Sequence, residues 1–252
     1  ENGETGPMQG IVGKVNYEIA WQCCCWNIHY VETANLYTTL LDTARLEPIE
    51  VVLNKEFDGH GQAAALAGIQ RGLQAYFHED HPLARTLRKP ERINVALLRQ
   101  YNEKFSGEYN PARRNRIFIW GLQDPDDGHF YKDAYRCTEV VTHELGHASH
   151  HELKPLNYDA HAIFKNNCNH CESWANGVEY AYMESIYPGY TITPSGTAYT
   201  RLVECLMHQG LTLAEIQESF VAGGNWWGWR DELKSRTSLE ERISDVIFEF
   251  QN

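Results

Sequence analysis

Residues 133–153 run without a proline and with one glycine, and Pro155 closes the stretch. Proline breaks a helix and glycine weakens one, so the run reads as a single long helix of roughly 30 Å that any fold must accommodate. At about 100° per residue, Cys137, Val141, Leu145 and Ala148 gather on one stripe that can face a core. The same run contains T-H-E-L-G-H-A-S-H-H, residues 142–151, which holds four of the chain's twelve histidines. His143 and His147 stand about 40° apart and one turn along the axis, so both imidazoles can reach one ion. Glu144 projects about 60° from His147, near enough to reach a water on that ion without binding the ion itself.

This is the H-E-x-x-H spacing, in which two histidines on a helix bind zinc and the glutamate serves as general base. A five-residue match is short, but it lies inside an independently predicted helix and in register with an apolar stripe. A catalytic zinc takes three protein donors and keeps its fourth position for water, so one more donor is required. His150 and His151 rise roughly 10 and 12 Å beyond His143 on the same helix, too far to share its ion, and read as exposed or outer residues. The donor must come from another segment. Glu172, in C-E-S-W-A-N-G-V-E-Y-A-Y, follows His147 by 25 residues, enough for a turn and a returning helix. Asn176, one turn further, can accept a hydrogen bond from a ligand histidine and fix its tautomer. Glu179 is the next candidate ligand, followed by Asp159, His161 and His170. Glu172 also reads as an ordinary carboxylate near a helix N-terminus, favoured by the helix dipole.

The rest of the chain predicts an α+β fold in two parts. Residues 10–21 and 49–54 read as strands, being short and rich in β-branched residues, and residues 31–44 between them look helical. Residues 62–77 carry apolar positions at helical spacing, and a further helix is expected after Pro90, which stands near its first turn. Residues 116–120, R-I-F-I-W, form a short strand closed by a turn-rich segment. Beyond the long helix come a second helix over 168–187, ended by Pro188 and Gly189, and a third over 199–210. The remainder reads as helical apart from G-G-N-W-W-G-W. The expectation is a mixed N-terminal subdomain, residues 1–155, with a small sheet and the histidine helix. A mainly helical C-terminal subdomain, residues 156–252, carries the third donor across a cleft.

Composition narrows the function classes. With 252 residues and 42% apolar content the chain can bury a substantial core. Its 22 Lys plus Arg against 34 Asp plus Glu give a formal charge of −12, which offers phosphate backbones no general attraction and makes nucleic acid a poor partner. No run approaches the roughly 18 apolar residues of a membrane span. Seven cysteines leave at least one outside intrachain pairing. Cys168 and Cys171 have C-x-x-C spacing, which suits a short disulfide, buried thiols or half of a zinc site.

H-E-L-G-H on one helix with E-S-W-A-N on a later one resembles the zincin metallopeptidases, and within them the gluzincins, the thermolysin-like group. The resemblance spans about residues 112–187. It implies one catalytic Zn2+ held by His143, His147 and Glu172, and a peptide, protein or glycoprotein substrate. Such a zinc would lower the pKa of a bound water toward about 7, and Glu144 would take its proton and pass it to the leaving amine. An oxyanion donor is also needed, with Tyr180, Tyr190, Tyr199 and His208 available from the helical half. The family often carries an acidic residue one turn after its third ligand, where this chain has Asn176. The extended metzincin pattern fails, because His150 and Leu153 stand where glycine and histidine would. The family's habits and a start at Glu1 rather than Met point to an extracytoplasmic location, against which the odd, clustered cysteines argue.

Two other features carry paired readings. The strand 116–120 could be a free edge on which a peptide pairs, with Ile117, Ile119 and Trp120 binding substrate, or an interior strand with both isoleucines buried. Trp226, Trp227 and Trp229 could form a platform for sugar rings on a glycine-rich turn, or plug the base of the helical part. The rival to a peptidase is a zinc-binding scaffold or glycoprotein-binding domain without turnover. Retention of Glu144, which structural zinc does not need, favours the enzyme. A third reading has no metal and a pH-sensitive histidine face.

Overall fold

The computed structural model describes residues 15–22, 25–34, 62–78, 131–155, 158, 169–192, 201–223 and 226–235, and between 81 and 123 all but 82, 84, 85, 99, 105 and 114. The architecture is α+β, with a five-stranded mixed sheet and helices packed against it and against one another. Strands β1 (Val15–Gln22) and β2 (Trp26–Ala34) form an antiparallel hairpin in register Val15 with Ala34 and Gln22 with Asn27. Helix α1 (Gln62–Phe77) separates β2 from β3 (Ile93–Leu98), and β3 lies parallel to β2. Parallel neighbours require such a crossover. Strand β4 (Gly107–Asn110) pairs antiparallel with β5 (Arg116–Trp120), and β5 is parallel to β3. The order is β1-β2-β3-β5-β4.

Three sequence expectations change here. The helix expected over 31–44 begins as the second half of β2, because W-N-I-H-Y-V-E-T-A pairs residue by residue with β1. The helix expected after Pro90 is β3. Its run I-N-V-A-L-L sits between two parallel strands, and a run that is apolar but for Asn94 carries no periodicity that separates a buried strand from a helix. Strand β5 is interior, with Ile117 and Ile119 fully buried, so it is not a free edge. The strand expected at 49–54 lies outside the described residues.

Helix α2 (Ala134–Leu153) carries the histidines. Asp133 caps it by accepting from the Arg136 amide at 2.7 Å, and the Lys154 amide closes it on the His150 carbonyl. The helix is more enclosed than a single apolar stripe requires, with nearly every residue from Cys137 to His150 buried. Helix α3 (Asn169–Ile186) crosses it, followed by α4 (Leu202–His208), α5 (Leu213–Gly223) and α6 (Trp226–Ser235). An aromatic column joins these later helices to α2. Phe220 stacks on Trp174 at 4.9 Å between ring centroids and meets His150 at 4.8 Å and Trp229 at 5.0 Å. The main apolar cluster therefore runs across residue 155, from Ile28 and Ile93 to Phe220 and Leu233. The tryptophans expected on a glycine-rich turn stand on α6. Trp229 is buried with its indole N–H donating to Ser219, whereas Trp227 is 58% exposed beneath the Arg230 guanidinium.

Candidate metal centre

Successive turns of α2 bring His143 and His147 together, with ring centroids 4.9 Å apart and planes at 84°. Glu172, in the first turn of α3, reaches both rings: its Oε2 lies 3.2 Å from His143 Nε2 and 3.4 Å from His147 Nε2. The crossing of two helix backbones makes this reach possible. A Cβ on Gly146 would lie 2.6 Å from the Ala175 Cα, so only glycine lets α3 come this close beside the two histidines. The single glycine of the helix sits at the contact that assembles the site.

The three donor atoms lie within 4.8 Å of one another. Donors at neighbouring corners of a tetrahedron, 2.0–2.1 Å from its centre, are about 3.3 Å apart, which matches the two nitrogen-to-oxygen separations. The second nitrogen of His143 supports the same geometry: its Nδ1–H donates to Glu179 Oε2 at 2.9 Å, which leaves Nε2 turned toward Glu172. His143, His147 and Glu172 thus form a group compatible with a metal ion.

Electrostatics agree with a cation site. Burial alone would lower the His143 pKa, but the Glu172 and Glu179 carboxylates on its two nitrogens raise it well above the usual imidazole value. Burial would likewise raise Glu172, yet His147 and His143 hold it well below the usual carboxylate range. In the metal-free protein a proton on His143 partly offsets the carboxylates, and a divalent ion would displace it.

Glu144 lies beside this group and is buried. Burial raises its pKa, opposed by His147 and His143, reinforced by Glu172 and again opposed by the Tyr109 backbone amide, which donates to it. Strand β4 lies directly on this side chain: a Cβ on Gly107 would be 2.7 Å from Glu144 Oε1. The strand next to the site is therefore β4, the last strand of the sheet among the described residues. The substrate strand expected at Ile117, Ile119 and Trp120 is corrected accordingly, because β5 is covered on that side by β4.

The acceptor on His143 Nδ1 is Glu179, seven residues after Glu172, where Asn176 was expected at four. Two full turns return close to the direction of Glu172, and the longer glutamate side chain spans the gap. Asn176 is buried on the same helix. Glu179 therefore lies behind the candidate ligand His143, outside the group that Glu172 completes. His208 does not join the site: it is exposed, and its Nε2 pairs with the Tyr180 hydroxyl at 2.9 Å. Tyr199, Asp159 and His161 lie outside the described residues, and the side chain of His170 does too. His150, expected at the surface or near the ion, is fully buried between Phe220 and Tyr158. Cys171 is disulfide-bonded, which removes it as a thiolate ligand, whereas the buried Cys137 is a thiol whose Sγ donates to the Lys132 carbonyl.

One residue near the site escaped the sequence reading. Tyr158 places its ring 6.1 Å from that of His147 and 5.7 Å from that of Tyr109. Burial raises its pKa, and Glu144 is the next largest cause, with Glu172 also contributing. The only signal was position: Tyr158 sits in the linker that the chain must use to return from α2 to α3. No family model, curated protein or solved structure matches this chain.

Proposed function

We propose that this chain is a zinc-dependent peptidase of the gluzincin type, acting on peptides or proteins. The observation that carries the reading is the position of Glu172 Oε2, 3.2 and 3.4 Å from the two Nε2 atoms, with the buried Glu144 carboxylate alongside. A zinc ion at this position would polarise a carbonyl and activate a water as nucleophile. Glu144 accepts the proton of the attacking water and delivers it to the leaving amine. The Tyr109 amide fixes its orientation.

Tyr158 is a candidate donor to the developing oxyanion, by exchanging the long hydrogen bond, 3.4 Å, that its hydroxyl gives the Tyr109 carbonyl. Burial keeps its phenol protonated, and its ring lies against His147. Strand β4 offers backbone groups for an extended substrate at the sheet edge, so that the scissile bond would run past Glu144.

Glu144→Gln tests the reading. The variant should bind zinc as the wild type does, one ion per chain, and lose cleavage of a casein substrate by at least about a hundredfold, the lower range for a general base. Undiminished cleavage would place the base elsewhere. A wild type that binds zinc and cleaves no peptide would favour the non-enzymatic scaffold.

A further inference from the structure

The contacts behind His143 continue past Glu179. Its second oxygen, Oε1, accepts from the Tyr190 hydroxyl, which also lies 3.0 Å from Glu139 Oε1. The other oxygen of Glu139 is held by Arg136, whose side chain is 52% exposed. A continuous chain of polar contacts thus runs from the candidate ligand to the surface through Glu179, Tyr190, Glu139 and Arg136.

Tyr190 reaches this place by a tight reversal. Helix α3 ends at Ile186, and Y-P-G-Y follows, with the Tyr190 amide donating to the Tyr187 carbonyl at 3.1 Å and Gly189 at φ +88°. Proline followed by a positive-φ glycine is the pattern of a type II turn. The turn lays Tyr190 back along α3, eleven residues after Glu179. The side chain is buried beside Tyr180, Met183 and Ile192, so its hydroxyl is presented to the carboxylates by a fixed ring.

We propose that Tyr190 is a positioning residue for the metal centre, clamping the Glu179 carboxylate so that His143 keeps its tautomer and its angle toward the ion. The inference rests on the metal reading of the site. A phenol has one proton and here faces two carboxylates, so one of them must find its charge balanced elsewhere. Arg136 does this for Glu139, and the Tyr190 proton is left for Glu179. Burial, and then Glu179 and Glu139, hold the Tyr190 pKa far above the usual phenol value, which keeps it a donor. With one oxygen fixed by Tyr190, Glu179 presents the other to Nδ1 without rotating, and outer contacts of this kind orient a ligand ring and increase its basicity.

The test compares wild type, Tyr190→Phe and Tyr187→Phe. Tyr187 shares the turn, but its hydroxyl accepts from Arg71 outside this chain of contacts. Each metal-free protein is titrated with Zn2+ against a chromophoric chelator, its Co2+ absorption spectrum is recorded, and its thermal midpoint is measured without metal. Tyr190→Phe should weaken zinc binding about tenfold, the lower end for outer-shell changes, and alter the Co2+ bands, while Tyr187→Phe leaves both unchanged. Zinc affinity and Co2+ bands equal to wild type in Tyr190→Phe would overturn the proposal, even if the thermal midpoint fell. A wild type that takes up no metal overturns the metal reading and this proposal with it. Wild-type uptake with an indifferent Tyr190→Phe overturns this proposal alone.

Discussion

His147 and His150 lie on adjoining turns of α2 and are both buried, yet they meet opposite company. His147, with His143 one turn before it, faces the Glu172 carboxylate. His150 faces the rings of Phe220 and Tyr158 at 4.8 and 5.4 Å. Residue type, helix and depth are shared, so the chemistry of each imidazole is set by what crosses the helix at that height. At His143 and His147 the crossing element is the start of α3, with carboxylates at Glu172 and Glu179. At His150 it is α5, which brings an aromatic ring.

The sharpest way to break this comparison is to truncate each histidine. His147→Ala removes one of three donors and should weaken zinc by on the order of a thousandfold or more. The metal-free fold should change little by comparison. His150→Ala should behave inversely, keeping one zinc per chain while losing about 2–4 kcal/mol of stability through the cavity left beside Phe220. Chelator competition and urea unfolding measure both quantities on both variants. Zinc retained in His147→Ala, or lost in a folded His150→Ala, would show that the two heights of the helix are not distinct in function.

Gly146 tests how the carboxylates are brought to the right height. A Cβ there would press 2.6 Å from the Ala175 Cα and 2.9 Å from its carbonyl oxygen, and backbone cannot step aside as a side chain can. Gly146→Ala should cost about 1–3 kcal/mol by overpacking and should also weaken zinc, because the displaced helix carries Glu172. Gly177→Ala is the comparison: its added Cβ meets the Val203 side chain, toward α4 and away from the ligands. Destabilisation there should leave zinc affinity near the wild-type value.

A smaller effect is expected at Gly189, which contacts nothing that a Cβ would meet but has φ +88°. Gly189→Ala should cost about 1–2 kcal/mol for the left-handed backbone alone. If the Y-P-G-Y turn serves the ligand, zinc binding should weaken along with stability. A stability loss with unchanged zinc affinity would confine the turn to a structural role.

The parts of this arrangement legible in the sequence are those with a period or a stop signal. Helix α2 was bounded by Pro155 and the absence of internal breakers, and the spacing of His143, Glu144 and His147 placed them on one face. Glu172 was reachable because a returning helix of the right length was also visible. Strand β3 was not legible, because I-N-V-A-L-L is apolar on both faces but for Asn94 and its strand character comes from neighbours β2 and β5. The choice of Glu179 over Asn176 depends on how α3 crosses α2, which no local pattern encodes. Burial of His150 depends on Phe220, seventy residues away in sequence. Tyr158 had no periodic context at all.

The smallest effect extends the comparison to a half-buried basic group. His143 has carboxylates on both nitrogens, and they raise its pKa despite burial. Lys89 has none among the described residues: its ammonium donates to the Tyr76 carbonyl and lies 4.8 Å over the Tyr76 ring. Burial brings its pKa down to about 8, partly offset by Cys25. The consequence has a definite sign. Below the folded value both states carry the proton and the cost of burying the charge is constant. Between about 8 and the unfolded value of 10.5, the unfolded chain binds a proton that the folded chain does not, so this group makes stability rise with pH. Lys89→Met removes that contribution. Urea midpoints of the wild type and of Lys89→Met at pH 8 and pH 10 should therefore differ in slope, with the wild type gaining relative to the variant at the higher pH. A gap that stays constant between the two pH values would mean that Lys89 remains charged in the folded state, and that a carbonyl and an aromatic face can hold a half-buried cation as firmly as carboxylates hold His143.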